Sequence, residues 1–173
     1  PARASAITGG PAELLGAATP KRPPGFCTGC PERPVFAAIK LVEKDLGAIH
    51  VNADIGCHTF AALPPFNIGN SVLGYGLGLS SGAAVGPAFG EKRTVSIMGD
   101  GGLWHNGLAS GVAGAVFNKT DSVLLIMNNG YSSATGQQHI PSTGTNFRDE
   151  PTGQTIRSAL EGLGVKWLRT ITT

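Results

Sequence analysis

Two short motifs in this chain place residues whose types suit metal and phosphate chemistry. Gly99-Asp100-Gly101-Gly102 follows the apolar run Thr94-Val95-Ser96-Ile97-Met98, and Asn128-Asn129 follows Ser122-Val123-Leu124-Leu125-Ile126-Met127. Asp100 offers a hard anionic oxygen and Asn129 a neutral amide oxygen. Magnesium prefers such ligands and completes its octahedron with phosphate oxygens and water. The glycines let the backbone approach a diphosphate with its N–H groups exposed, near the start of a following helix. A second set of residues is soft. Phe26-Cys27-Thr28-Gly29-Cys30-Pro31 is a Cys-x-x-Cys turn, and Cys57 sits in Asp54-Ile55-Gly56-Cys57-His58. An odd number of cysteines in this context favours metal or cluster ligation in a reducing compartment over disulfides. On the residues alone, zinc on Cys27, Cys30, Cys57 and His58, a redox dithiol and an iron–sulfur ligand set all stay open.

The elements around the motifs must hold them at one edge of a sheet. The run ending in Gly-Asp-Gly, a helix over Asn106–Phe117 and the run ending in Asn-Asn form one βαβ unit. Both motifs then fall at the carboxyl ends of neighbouring parallel strands, where open α/β sheets bind ligands. Before this unit, periodicity predicts a helix over Val35–Lys44 with Val35, Ile39, Leu41 and Val42 inward, stopped at Gly47. A short strand follows over Ala48–Ala53, ending at Asp54. The small residues of Asn70–Val85 suggest a helix packed closely on a ligand or another backbone. Residues 130–152 read as a long functional loop, Gln154–Leu163 as a helix and Val165–Ile171 as a last strand. Strands alternating with helices predict a mostly parallel sheet covered on both faces.

Composition narrows the function classes. Glycine makes up 26 of 173 residues, about twice its usual share, as tight turns and close backbone approaches require. The net charge of +2 comes from scattered residues, with no basic stripe for nucleic acid. No Asp, Glu, Lys or Arg lies between Asp54 and Glu91, or between Asp121 and Arg148. Such faces are expected to be covered by partner domains. Phe66–Gly90 is long enough to span a membrane, but Asn67, Asn70, Ser71, Ser80, Ser81, Pro87 and seven glycines break it, so no span is expected. Residues 1–25, with Gly9-Gly10-Pro11 and the proline-rich Pro20–Pro24 around a short helix at Glu13-Leu14-Leu15, read as a linker.

The Gly-Asp-Gly and Asn-Asn pair, joined through strand, helix and strand, resembles the cofactor motif of thiamine diphosphate enzymes. The resemblance implies a three-layer α/β thiamine diphosphate-binding fold over residues 26–173, truncated at its C-terminal end. It also implies magnesium on Asp100, Asn129 and the backbone carbonyl of Tyr131. Leu73-Gly74-Tyr75-Gly76-Leu77-Gly78 resembles the family segment whose large apolar residue wedges the cofactor into its bent shape, which here is Leu73.

The cysteines select a branch. Cys-x-Gly-Cys followed by Ile-Gly-Cys is similar to the thiamine domain of 2-oxoacid:ferredoxin oxidoreductases. Asn128-Asn129-Gly130-Tyr131-Ser132-Ser133-Ala134-Thr135-Gly136-Gln137-Gln138 resembles the cofactor loop of the same family, with Ser132 in place of its tyrosine and Gln137 in place of a glycine. Phe-Cys-x-Gly-Cys-Pro and Gly-Cys-His most resemble the indolepyruvate branch. The resemblance implies a four-iron four-sulfur cluster on Cys27, Cys30 and Cys57, with a fourth ligand further toward the C-terminus. It implies cofactor contacts from Ile55, Gly56, Cys57, His58, Leu73, Gly74, Gly99–Gly102, Asn129, Tyr131, Ser132, Thr135 and Gly136. The implied activity is oxidative decarboxylation of a 2-oxoacid, such as an arylpyruvate, to an acyl-coenzyme A, with electrons leaving singly to ferredoxin in the cytoplasm. A pyrimidine-binding domain and a second subunit are the implied partners, the former supplying the glutamate that activates the cofactor. A non-redox thiamine diphosphate decarboxylase or synthase and a zinc-binding interaction module are the rival readings.

Overall fold

The computed structural model describes residues 23–90 and 92–172. The expected helix at Glu13-Leu14-Leu15 and most of the expected linker lie outside them. Three parallel strands form the sheet in the order β1 (Val51–Ala53), β2 (Thr94–Gly99), β3 (Ser122–Met127). β2 and β3 run in register from Thr94 opposite Ser122 to Gly99 opposite Met127. Gly-Asp-Gly and Asn-Asn therefore leave the sheet side by side. Beyond β1, Ser71 and Asn70 add a short extension, through the Ala53 N–H to Ser71 O bond (2.9 Å) and the Asn70 N–H to Val51 O bond (2.8 Å).

Successive residues of a strand face opposite sides, and both sides of this sheet are buried. Val95, Ile97, Leu125 and Met127 join Phe36, Ile39, Val51, Ala61 and Ile68 on one face. Met98, Leu124 and Ile126 join Leu79, Leu103, Val112 and Leu160 on the other. The first face is covered by helix α1 (Glu32–Leu46). The second is covered by α2 (Gly78–Val85) and by a long helix that starts at Asp100. This is a three-layer α/β sandwich with a parallel sheet at its centre, as the sequence predicts. Complete burial of Phe36, Ile97, Met98 and Leu103 contributes about 1.5–3 kcal/mol each.

Helix α1 carries Glu32 in its first turn and Lys44 in its last, both favourable to the helix dipole. It ends at Gly47, whose φ of 78° suits a residue without a Cβ. Its inward stripe is Val35, Phe36 and Ile39. Leu41 and Val42, expected inward, are 60% and 42% exposed instead. Two positions past Ile39 is 200° around a helix, so Leu41 must face away from the sheet.

The long helix is built in three parts: α3 (Asp100–Gly102), a π-type segment (Leu103–Val112) and α4 (Ala113–Phe117). The sequence places its start at Asn106, because the glycines read as loop; the structure starts it at Asp100. Wider π-type turns concentrate at functional sites. Close packing requires two of its glycines. A Cβ on Gly107 would stand 2.6 Å from the Met98 sulfur, and one on Gly111 would stand 3.2 Å from the Leu79 Cβ.

Other boundaries also move. The first strand is three residues, Val51–Ala53, rather than six. Helix α2 occupies only Gly78–Val85, and Asn70–Leu77 is mostly extended or turned. Within 130–152 lie an antiparallel hairpin, β4 (Tyr131–Ser132) and β5 (Gln138–His139), and a 3-10 turn, Pro141–Thr143. Helix α5 (Ile156–Gly162) is capped by the Thr155 hydroxyl, which accepts from Ser158 N–H at 3.1 Å. The expected strand over Val165–Ile171 does not form; this segment joins no ladder among the described residues. Val165 and Leu168 pack against the second core instead, so its apolar residues reflect packing rather than strand pairing.

Candidate functional site

At the carboxyl end of β2, Asp100 opens the long helix with its side chain fully buried. Its Oδ2 accepts the Gly130 N–H at 2.9 Å, and its Oδ1 accepts the Gly101 N–H at 3.1 Å. Burial pushes its carboxyl above the usual aspartate range, against the pull of the Gly130, Asn129 and Gly101 N–H groups. A buried acid held this way gains from a cation brought beside it. The Asn-Asn loop is next to it. Asn129 is exposed, with Oδ1 accepting the Tyr131 N–H at 3.0 Å and Nδ2 donating to Ser133 Oγ at 2.9 Å.

Gly101 lies under a lid of side chains. A Cβ there would overlap the Tyr75 hydroxyl and approach Ser132 Cα and Oγ at 3.1 Å. Tyr75 and Ser132 share a hydrogen bond of 2.7 Å, which ties the Gly-rich segment to the β4–β5 hairpin. Tyr75 also lies against His105, with ring centroids 5.1 Å apart. The Thr143 hydroxyl donates to the Gly130 carbonyl, and Trp104 Nε1 donates to Ser142 Oγ at 2.6 Å. The loop after β3 is thus braced from two sides.

The residue that organises these parts is not among the candidates that type and spacing mark in the sequence. Asp54, at the end of β1, is wholly buried. Both its oxygens receive the Gly76 N–H at 2.8 Å, and Oδ1 also receives the Ile55 N–H at 2.8 Å. The same carboxylate fills the space where a Gly102 Cβ would stand. Its pKa is raised, chiefly by burial, with Ile55, Gly76 and Leu77 N–H groups and the His105 charge opposing. A strand-end aspartate followed by a Gly-rich segment was its only visible signal.

His58 is the other buried polar group here. Its Nε2 has no partner, and burial lowers its pKa to about 4, so the ring is neutral near pH 7. The ring Cε1 would lie 3.7 Å from a Cβ built on Gly99. His58 and the Gly-Asp-Gly motif are therefore neighbours. Ile55 is half exposed, Gly56 partly buried against the His58 ring, and Gly74 partly buried, whereas Leu73 is 72% exposed. Thr135 and Gly136 lie exposed at the hairpin tip, where the Thr135 hydroxyl meets the Gln138 side chain.

Cys27, Cys30 and Cys57 are all free thiols and line one cleft of about 280 Å³ with Pro23, Pro24, Gly25, Phe26 and Phe60. Burial raises the Cys57 pKa, with Glu32, Cys30 and Cys27 adding to it. Among the described residues, no three His, Cys, Asp or Glu side chains converge tightly enough for a single metal ion. The three thiols are soft donors, the kind that zinc and iron–sulfur clusters take. At the other site, a hard carboxylate and an amide oxygen beside a glycine-rich helix start are of the types that suit magnesium and a diphosphate.

This end of a parallel sheet, with an acid and an amide at adjoining strand ends, is that of a diphosphate cofactor domain. The chain belongs to the thiamine pyrophosphate enzyme family: residues 54–173 match its C-terminal TPP binding domain. It is 32% identical over 167 residues to indolepyruvate oxidoreductase subunit IorA of Archaeoglobus fulgidus, covering 92% of this chain and 25% of that protein. The same subunit of Methanothermobacter thermautotrophicus is 30% identical, covering 88% of this chain and 25% of the relative. That of Pyrococcus horikoshii is 31% identical, covering 72% and 21%. The chain thus spans about a quarter of the length of the curated relatives it matches. Among the described residues no helix is long and apolar enough to cross a membrane.

Proposed function

We propose that this domain holds the diphosphate and magnesium of thiamine diphosphate in a 2-oxoacid:ferredoxin oxidoreductase of the indolepyruvate type. The observation that carries the redox part is the shared cleft of Cys27, Cys30 and Cys57, placed in the same strand-end region as His58 and Gly99 through the short Cys57-His58 link. When bound, thiamine diphosphate supplies a carbon nucleophile and an electron sink for a 2-oxoacid, and a four-iron four-sulfur cluster supplies a one-electron outlet.

The chain's own residues bind and orient. Asp100 gives magnesium its anionic ligand, with the Asn129 side-chain oxygen and the Tyr131 carbonyl beside it. Taking that ligand role requires Asn129 to release the Tyr131 N–H that it now accepts. Gly99, Gly101 and Gly102 would let the backbone approach the diphosphate, and Ser132, Thr135 and Gly136, on the β4–β5 hairpin, would add contacts to it. Neutral His58 would offer the cofactor a ring nitrogen and Leu73 an apolar surface, and Ile55 and Gly56 carry the chain from Asp54 to Cys57. Cys27, Cys30 and Cys57 hold the cluster with a fourth ligand from outside this set. Arylpyruvates and coenzyme A are the substrates, ferredoxin is the acceptor, and a pyrimidine-binding domain and second subunit in the cytoplasm complete the site.

The test is anaerobic purification of the native assembly followed by iron and sulfide analysis and a visible spectrum. Bound iron with a broad charge-transfer band, lost in Cys57→Ser while thiamine diphosphate still binds, supports the reading. An iron-free protein that binds thiamine diphosphate would place the chain with the non-redox enzymes. Stoichiometric zinc would favour a structural metal instead.

A further inference from the structure

The cysteine turn is held from outside by a residue with no assigned role. Arg33, in the first turn of α1, donates from Nη2 to the Phe26 carbonyl at 2.7 Å and from Nε to the Cys27 carbonyl at 3.1 Å. Its own N–H donates to the Cys30 carbonyl at 3.2 Å, and the Cys30 N–H closes the turn onto Cys27 O at 3.2 Å. Its guanidinium carbon lies 5.9 Å from the centre of the Phe26 ring. That ring packs on Phe36 and Phe66 at centroid distances of 5.3 and 5.9 Å. Among the described residues Arg33 makes no ion pair, and its side chain is exposed.

We infer that Arg33 is a positioning residue for the iron–sulfur ligands: its planar fork holds the peptide on each side of Cys27 and so aims Cys27 into the cleft shared with Cys30 and Cys57. The inference rests on the cluster reading above. A guanidinium suits the task because its rigid donors meet two carbonyls at once, which a lysine ammonium on a flexible stem does less well. The turn is exposed at Cys27, Thr28 and Gly29, and the Arg33 bonds add to the single backbone bond that closes it. A fixed positive charge beside the ligands also favours the reduced, more negative cluster.

The experiment compares wild type, Arg33→Ala, Arg33→Gln and Arg33→Lys in the native assembly, purified anaerobically. Its readouts are the rate of cluster bleaching in air, the midpoint potential of the cluster, and the thermal midpoint as a control on folding. Loss of two bonds to the turn should speed bleaching about tenfold in Arg33→Ala and Arg33→Gln. The potential should fall in both. Arg33→Lys should restore the potential but only part of the resistance to bleaching. Bleaching and potential in Arg33→Ala equal to wild type would overturn the inference while leaving the cluster intact. A wild-type protein without iron would instead remove the cluster reading, and this inference with it.

Discussion

Truncating Asp54 should loosen the whole cofactor edge, although no cofactor atom need touch it. In Asp54→Ala the Gly76 N–H loses both carboxylate oxygens and the Ile55 N–H loses its 2.8 Å acceptor. Gly76 is buried, whereas Ile55 is exposed and can turn to water. An orphaned buried donor costs about 1–3 kcal/mol. Some of this is offset, because the carboxylate is itself unfavourably buried, as its raised pKa shows. The expected net loss is about 2 kcal/mol, on the order of thirtyfold in the folding constant. Asp54→Asn keeps the shape and one acceptor oxygen, so its loss should be about half as large. The functional effect follows from position. Gly76 adjoins Tyr75, whose hydroxyl ties the hairpin at Ser132, and a freed segment closes the diphosphate cradle less tightly. Urea unfolding gives the stability change, and calorimetric titration with magnesium and thiamine diphosphate gives the affinity. If Asp54→Ala unfolds within about 0.5 kcal/mol of the parent and binds the cofactor equally well, the carboxylate does not hold this edge.

Gly101→Ala should weaken cofactor binding more than folding. The added Cβ must displace Tyr75 or Ser132, an overpacking cost of about 1–3 kcal/mol, and both displaced groups face the cradle; retained affinity in the calorimeter would argue against the close approach. Acid should destabilise the protein through His58. Its folded pKa of about 4 lies below the ordinary 6.5, so the unfolded state binds the proton first, and stability falls as pH drops from 6.5 toward 4. The full effect is about 3 kcal/mol. Asp54 and Asp100, with raised values, act in the opposite direction over the acid range, favouring the fold at low pH. The measurement is therefore the difference between parent and His58→Gln in urea unfolding from pH 4 to 8, which should shrink as pH falls. A difference independent of pH would mean that His58 titrates alike in the folded and unfolded chain, against its burial.

The fold was legible where one physical requirement dominates a segment. Thr94–Met98 and Ser122–Met127 are apolar on both faces because α1 covers one side of the sheet and α2 with the long helix covers the other. Reading failed where apolar residues answer to something other than a ladder. Val165 and Leu168 pack against the second core, and Leu41 and Val42 are exposed on α1.

The site divides in the same way. Asp100, Asn129 and the cysteines stand out as candidate ligands because ligand chemistry restricts which side chains can serve, so type and spacing already carry information. The residues that hold them in place carry no such mark. Asp54 finds Gly76 across 22 positions and Tyr75 finds Ser132 across 57, and an aspartate at a strand end or a tyrosine among glycines reads the same with or without those partners. Arg33 is invisible for a related reason: it binds backbone carbonyls, which every residue possesses, so no complementary side chain announces it. Groups that meet a ligand are constrained by chemistry, and groups that aim them are constrained only by tertiary geometry. The structure is therefore most informative one step behind the ligands, at Asp54, Tyr75 and Arg33. There a substitution should alter binding or potential while every ligand stays in place.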